Sequence, residues 1–203
     1  MLADREIYEN ILKSAKKEFL EKGYEESSLR TICKNAGVTT GAFYNRFKGK
    51  DAIFDELVKP VLSGIQEFVI EDERKSKEMI NNNRFEFEWT TDNYLKHLMD
   101  FLYDHFEDVR LLLCCAKGSL YSDFFLNFVD VHTKQKMCML NEAKEKGIIN
   151  KLIDEKELNI LIMIFWQAVS QPILKEFSRE EAVEYCDTIA NFFEWSKVLG
   201  LNE

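Results

Sequence analysis

Apolar side chains recur along the chain at the three-to-four-residue spacing of a helix face, and no stretch shows the alternation of a strand. Tyr8, Ile11, Leu12, Ala15 and Phe19 form one stripe and predict a first helix over 4–22, ended by Gly23. Leu29, Ile32 and Ala36 share a face of a short second helix that stops at Gly37, where glycine takes the left-handed position after a helix at no steric cost. Thr39 is placed to cap a third helix, with Val38, Phe43 and Phe47 turned inward. Lys50 opens a fourth, to about residue 80. Pro60 is expected to kink it, and the polar stretch from Glu71 to Asn83 reads as a fraying end and loop.

Thr91 is placed to cap a helix over 92–116, and Gly118 and Gly147 bracket another over 119–146. Asp154-x-x-Glu157 and Ser178-x-x-Glu181 are capping boxes that start helices over about 155–175 and 179–199. The expected fold is all-α: a three-helix helix-turn-helix domain over 1–50, then a larger helical domain over 51–203.

Charge divides along the same line. The net charge of −9 would be unusual for a chain that meets nucleic acid over its whole surface. Residues 1–50, however, carry ten Lys/Arg and seven Asp/Glu, whereas the remainder carries 17 and 29. A basic head on an acidic body suits DNA contact through the head alone. Thr40, Ala42, Tyr44 and Asn45 face outward on the third helix, with side chains of a size to meet base edges or phosphates in a major groove.

Over about the first 55 residues the chain resembles the DNA-binding head of TetR-family transcriptional regulators. The residues that carry the resemblance are Gly23-Tyr24, Ser27, Ile32-Cys33, Ala36-Gly37-Val38-Thr39, Gly41-Ala42-Phe43-Tyr44, Phe47 and Lys50-Asp51. It implies that Thr40, Ala42 and Asn45 meet bases while Ser27, Thr39, Tyr44 and Lys50 hold phosphates. Ala42 departs from a frequent hydroxyl in the family, and Arg46 stands where an aromatic ring is common. The resemblance further implies a homodimer, a palindromic double-stranded operator and a small-molecule effector bound among the middle helices, most often with a repressor's role.

Phe101, Phe106, Phe124, Phe125, Phe128, Met137, Met163 and Trp166 are the candidate pocket lining. Many aromatic and Met side chains with few charges among them suit a mostly apolar ligand. Leu158, Ile162, Phe165, Val183, Ile189 and Phe193, on the last two helices, are the candidate dimer interface.

Other chemistry finds little support. Cys33, Cys114, Cys115, Cys138 and Cys186 form no metal-spaced pair, and His97, His105 and His132 have no partner motif, so no metal, cofactor or enzymatic activity is expected. The longest apolar run, Ile160 to Trp166, is far short of a membrane span, and a cytoplasmic protein with reduced thiols is expected. Control by a protein partner or by cysteine redox is the alternative to a small ligand.

Overall fold

A computed structural model describes residues 2–85, 91–193 and 195. Among them the order is α1 (Leu2–Glu26), α2 (Leu29–Asn35), α3 (Thr40–Tyr44), α4 (Lys50–Asn81), α5 (Asp92–Asp104), α6 (Phe106–Cys114), α7 (Phe124–Glu145), α8 (Glu155–Leu174) and α9 (Arg179–Phe192), with no strand. Two compact units result. One takes residues up to Ser63 together with His105–Phe124, and the other takes Gly64–Asp104 and the chain from Phe125 onward.

The first unit is built on the predicted stripes. Ile11, Ala15 and Phe19 of α1 are fully buried, as are Ile32, Phe43, Ile53, Phe54, Val58 and Val61. Phe54 meets Phe19 edge-on at 5.2 Å and Tyr24 at 5.4 Å, geometry in which ring edges face ring faces favourably. Gly23 interrupts α1 with φ 75° and ψ 165°. At Gly37 the amide reaches Lys34 O and that of Val38 reaches Cys33 O, the paired bonds that close a helix on a left-handed residue.

α6 and the turns after it belong to this unit. Lys16 pairs with Asp108 at 2.6 Å, and the Tyr24 amide donates to Cys115 O at 2.8 Å. Three carboxylates near the start of α4 accept tyrosine hydroxyls: Asp51 from Tyr24, Asp55 from Tyr121 and Glu56 from Tyr8.

Here the structure departs from the periodicity. The single helix expected over 92–116 is two, broken at His105 (φ −115°, ψ 29°). The break falls where the chain passes from one unit to the other. The helix expected from 119 begins at Phe124. The preceding residues form turns closed by Ser119 and Ser122, whose hydroxyls bond to Ala116 O and to the Gly118 amide.

In the second unit α5 packs on α9. Leu95, Leu98 and Met99 are buried, as are Ala182, Cys186 and Ile189. Lys96–Asp187 and Arg179 with Asp100 and Asp104 bind the edges. Gly64 lets α4 approach α5 closely, because a Cβ there would lie 2.1 Å from the Phe101 ring. Thr91 caps α5 through the Tyr94 amide, and Ser178 and Glu181 make both bonds of the capping box. Asp154 caps α8 through the Lys156 amide.

α4 runs on through Pro60, and the stretch expected to fray is helical to Asn81. Its inward face is polar: Asp72 and Ser76 are buried beside Ile80. Of the last predicted helix, residues 194 and 196–199 lie outside the described set. By length and composition α8 is apolar enough to cross a membrane. Its buried side chains, Leu158, Ile162, Phe165, Trp166, Val169 and Ile173, follow the stripe of a helix laid against a core.

Candidate functional site

The helix-turn-helix is α2, the turn at Gly37 and α3. Ser28 caps α2 by accepting the Thr31 amide, while the buried Glu18 carboxylate accepts the Ser28 amide at 3.1 Å. Thr39 caps α3 by accepting the Ala42 amide at 3.1 Å. That bond uses an oxygen lone pair, so the Thr39 hydroxyl proton still has the capacity to donate to a phosphate. Phe43 is fully buried and Phe47 nearly so, which fixes the rotation of α3. Thr40, Tyr44 and Asn45 are consequently exposed, and Ala42 is half-buried. Tyr44 leans edge-on against Phe43 at 5.4 Å with 58% of its surface open, holding its phenol outward.

Two of the expected phosphate contacts are otherwise engaged. Ser27 is buried and donates its hydroxyl to Tyr24 O at 2.6 Å. Lys50 turns its ammonium back onto Tyr24 O at 2.6 Å, Glu25 O at 3.2 Å and Ser27 O at 3.3 Å, and over the Tyr24 ring at 4.4 Å. Gly23 interrupts α1 just before these carbonyls, and their negative ends offer the cation a ready set of acceptors. Arg46 departs from the family pattern and is also engaged. Its guanidinium donates to Ala42 O at 3.1 Å and to Asp4 on the first turn of α1.

The candidate pocket residues divide. Phe128 and Trp166 meet edge-on at 5.0 Å, and Phe101 packs against Phe68 at 5.5 Å. Phe125, Met137 and Met163 are half-buried in the second unit. Phe106 and Phe124 belong to the first unit, where the Arg110 guanidinium lies 5.9 Å from the Phe106 ring.

Sequence reasoning missed the buried polar cluster of the second unit. The ammonium of Lys136 pairs with Asp72, and both side chains are almost wholly buried. One turn earlier on α7, His132 accepts the Trp166 indole N–H on Nδ1 at 3.0 Å. Indole can only donate, so that nitrogen carries a lone pair and the ring proton sits on Nε2. Burial, and secondarily the Lys136 charge, hold His132 well below its ordinary pKa, and it stays neutral. Asp72/Ser76 and His132/Lys136 are each four residues apart, so each pair occupies one helix face. That spacing was visible in the sequence, but nothing there told whether the faces turned inward. The expectation of few interior charges is therefore corrected. Nearby, a cleft of about 660 Å³ between α7 and the start of α8 is lined by Asp130, Thr133, Lys156 and Asn159.

The expected dimer residues also need correction. Leu158, Ile162, Phe165 and Ile189 lie inside the chain's own core, and Val183 and Phe193 are half-buried. The apolar side chains that α8 exposes are Ile160, at 59%, Ile164 and Leu174; α9 exposes Phe192.

Comparison with known proteins agrees with the geometry of the head. Residues 11–57 match the profile of bacterial regulatory proteins of the tetR family. The Tn10 TetC protein of Escherichia coli is 30% identical over 96 residues, 47% of this chain and 46% of that one. The matches span about half or less of the curated relatives, down to 27%. Among solved structures, a TetR-family member from Streptomyces coelicolor A3 superposes with a TM-score of 0.60 at 16% identity, covering 95% of this chain and 90% of that one. Bacillus subtilis FadR, solved in complex with stearoyl-CoA, gives 0.58 at 18%, covering 91% and 96%. The head thus matches the tetR family of bacterial regulatory proteins in sequence over residues 11–57, and the chain shares its fold with solved members of that family.

Proposed function

We propose that the protein is a DNA-binding transcriptional regulator, a homodimeric repressor released from a palindromic operator when a small molecule enters its second unit. The observation that carries this reading is the presentation of α3. Buried Phe43 and Phe47 fix its rotation so that Thr40, Tyr44 and Asn45 point outward together. Asn45 has the amide that pairs bidentately with adenine, Ala42 the methyl that meets a thymine methyl, and Thr39 and Tyr44 the hydroxyls for phosphates. Two such heads on a two-fold axis read half-sites roughly one helical turn apart, about 34–36 Å. The exposed Ile160 and Ile164 on α8 favour that helix as the dimer contact.

A mostly apolar effector remains the reading for the second unit, now with a polar group able to answer Lys136, Asp72 or His132. Bacillus subtilis FadR was solved with stearoyl-CoA, a ligand that joins a long apolar chain to a polar end. Redox control is less favoured for the buried Cys33, Cys115 and Cys186, because burial raises their thiol pKa and thereby suppresses the reactive thiolate.

The test is selection of bound sequences from random duplex DNA by the purified protein, repeated with Asn45→Ala. A two-fold symmetric consensus that loses base preference at one position per half-site is expected, a change of about 1–3 kcal/mol for that base. Recovery of no consensus, or of the same consensus with the variant, contradicts the assigned surface.

A further inference from the structure

Arg46 is a cation beside the outward face of α3, and it is held by an acid. Its Nη1 reaches back four residues to Ala42 O at 3.1 Å, so the guanidinium lies next to the residue expected to meet bases. Its Nη2 donates to Asp4. The two partners differ in exposure: the Asp4 side chain is 75% open to solvent and that of Arg46 only 20%. Arg46 is thus fixed by the head, and Asp4 is the easily displaced member.

We propose that Arg46 is a phosphate-binding residue and that Asp4 occupies it in the free protein as an internal stand-in for a DNA phosphate. This rests on the DNA-binding reading above. A guanidinium matches carboxylate and phosphate with the same planar fork. Because Asp4 lies open to solvent, its hold on the guanidinium is weak, and a phosphate backbone can displace the carboxylate readily. Once displaced, Asp4 stands beside a polyanion and is repelled by it. The pair therefore tempers binding to any duplex, most strongly at low salt, where the repulsion is least screened. The opposite role is a clasp, in which Asp4 fastens the first turn of α1 to the end of α3 and binding needs the pair intact.

The two roles predict opposite signs. Fluorescence anisotropy would follow the full-length protein binding a random-sequence duplex of about 30 base pairs, long enough for two half-sites a turn apart. Salt would run from about 50 to about 200 mM, the range over which phosphate contacts change affinity strongly. Asp4→Asn should bind about two- to fivefold tighter at the low end, the fold-change of an exposed ion pair. Its log-affinity against log-salt slope should steepen by up to about 0.9 per head. Arg46→Gln should bind more weakly, with a slope about 0.9 per head shallower, and in that background Asp4→Asn should add little. Glu9→Gln, which removes a carboxylate from the same helix that pairs with Arg5, should change affinity much less than Asp4→Asn does.

Asp4→Asn binding equal to or weaker than wild type overturns the proposal. So does an equal gain in the Arg46→Gln background, or weaker binding of both variants accompanied by a lower melting temperature. A wild-type protein that binds no duplex would sink the DNA-binding reading and this inference with it. Wild-type binding without the Asp4 effect sinks only the latter.

Discussion

Acidification should destabilise this protein through one histidine. His132 is buried between Phe128 and Trp166, one turn from the Lys136 ammonium, and accepts the Trp166 N–H. Protonation would remove that acceptor and place a second positive charge beside Lys136. The folded-state pKa accordingly lies well below the ordinary 6.5. The sign follows from proton uptake. Below 6.5 the unfolded chain binds a proton that the folded chain refuses, so stability present above 6.5 is lost as pH falls toward the lowered native pKa. Between the two pKa values the loss approaches about 1.4 kcal/mol per pH unit. Urea denaturation at steps from about pH 7.5 to about pH 5 measures it against His132→Gln, because the unfolded side chains titrate within this range. The variant will be less stable at neutral pH, since glutamine fills the site imperfectly, but that offset does not depend on pH. Wild type should therefore converge on the variant as pH falls. A constant difference between the two, or a wild-type advantage that grows with acid, would refute a neutral buried His132.

Lys50→Met removes three hydrogen bonds to carbonyls and a cation–π contact, and should lower unfolding stability by about 1–3 kcal/mol. Unchanged stability with a DNA salt slope shallower by about 1 would instead make Lys50 a phosphate ligand. On the dimer, Ile160→Glu should shift sedimentation toward monomer with the circular dichroism spectrum unchanged. Ile162→Glu should unfold the chain, because it buries a charge in the core. A dimer that survives Ile160→Glu intact would move the interface away from this face.

Residues acting within a few positions of one another were legible in the sequence. The stripes of the first three helices, the stop at Gly37, and the caps at Thr39, Thr91, Asp154 and Ser178 depend on local geometry, and the structure keeps them; of the outward set it exposes Thr40, Tyr44 and Asn45 and half-buries Ala42. The basic head and its family resemblance were equally plain, because fixed spacing over about 50 residues is a one-dimensional signal.

Partnership across the fold was not. Lys50 has the chemistry of a phosphate ligand, yet the carbonyls after Gly23 lie within its reach, and only packing brings them there. An apolar stripe such as Leu158, Ile162 and Phe165 is written identically whether it meets the same chain or a second copy. Burial within the chain decides, and it leaves Ile160 and Ile164 outside. Polar residues such as Asp72 and Lys136, 64 positions apart, read as solvated faces until tertiary structure pairs them. Sequence fixes which residues share a helix face, since the backbone repeat is local. Which face meets which is a property of the packed chain, because it depends on contacts between residues far apart in sequence.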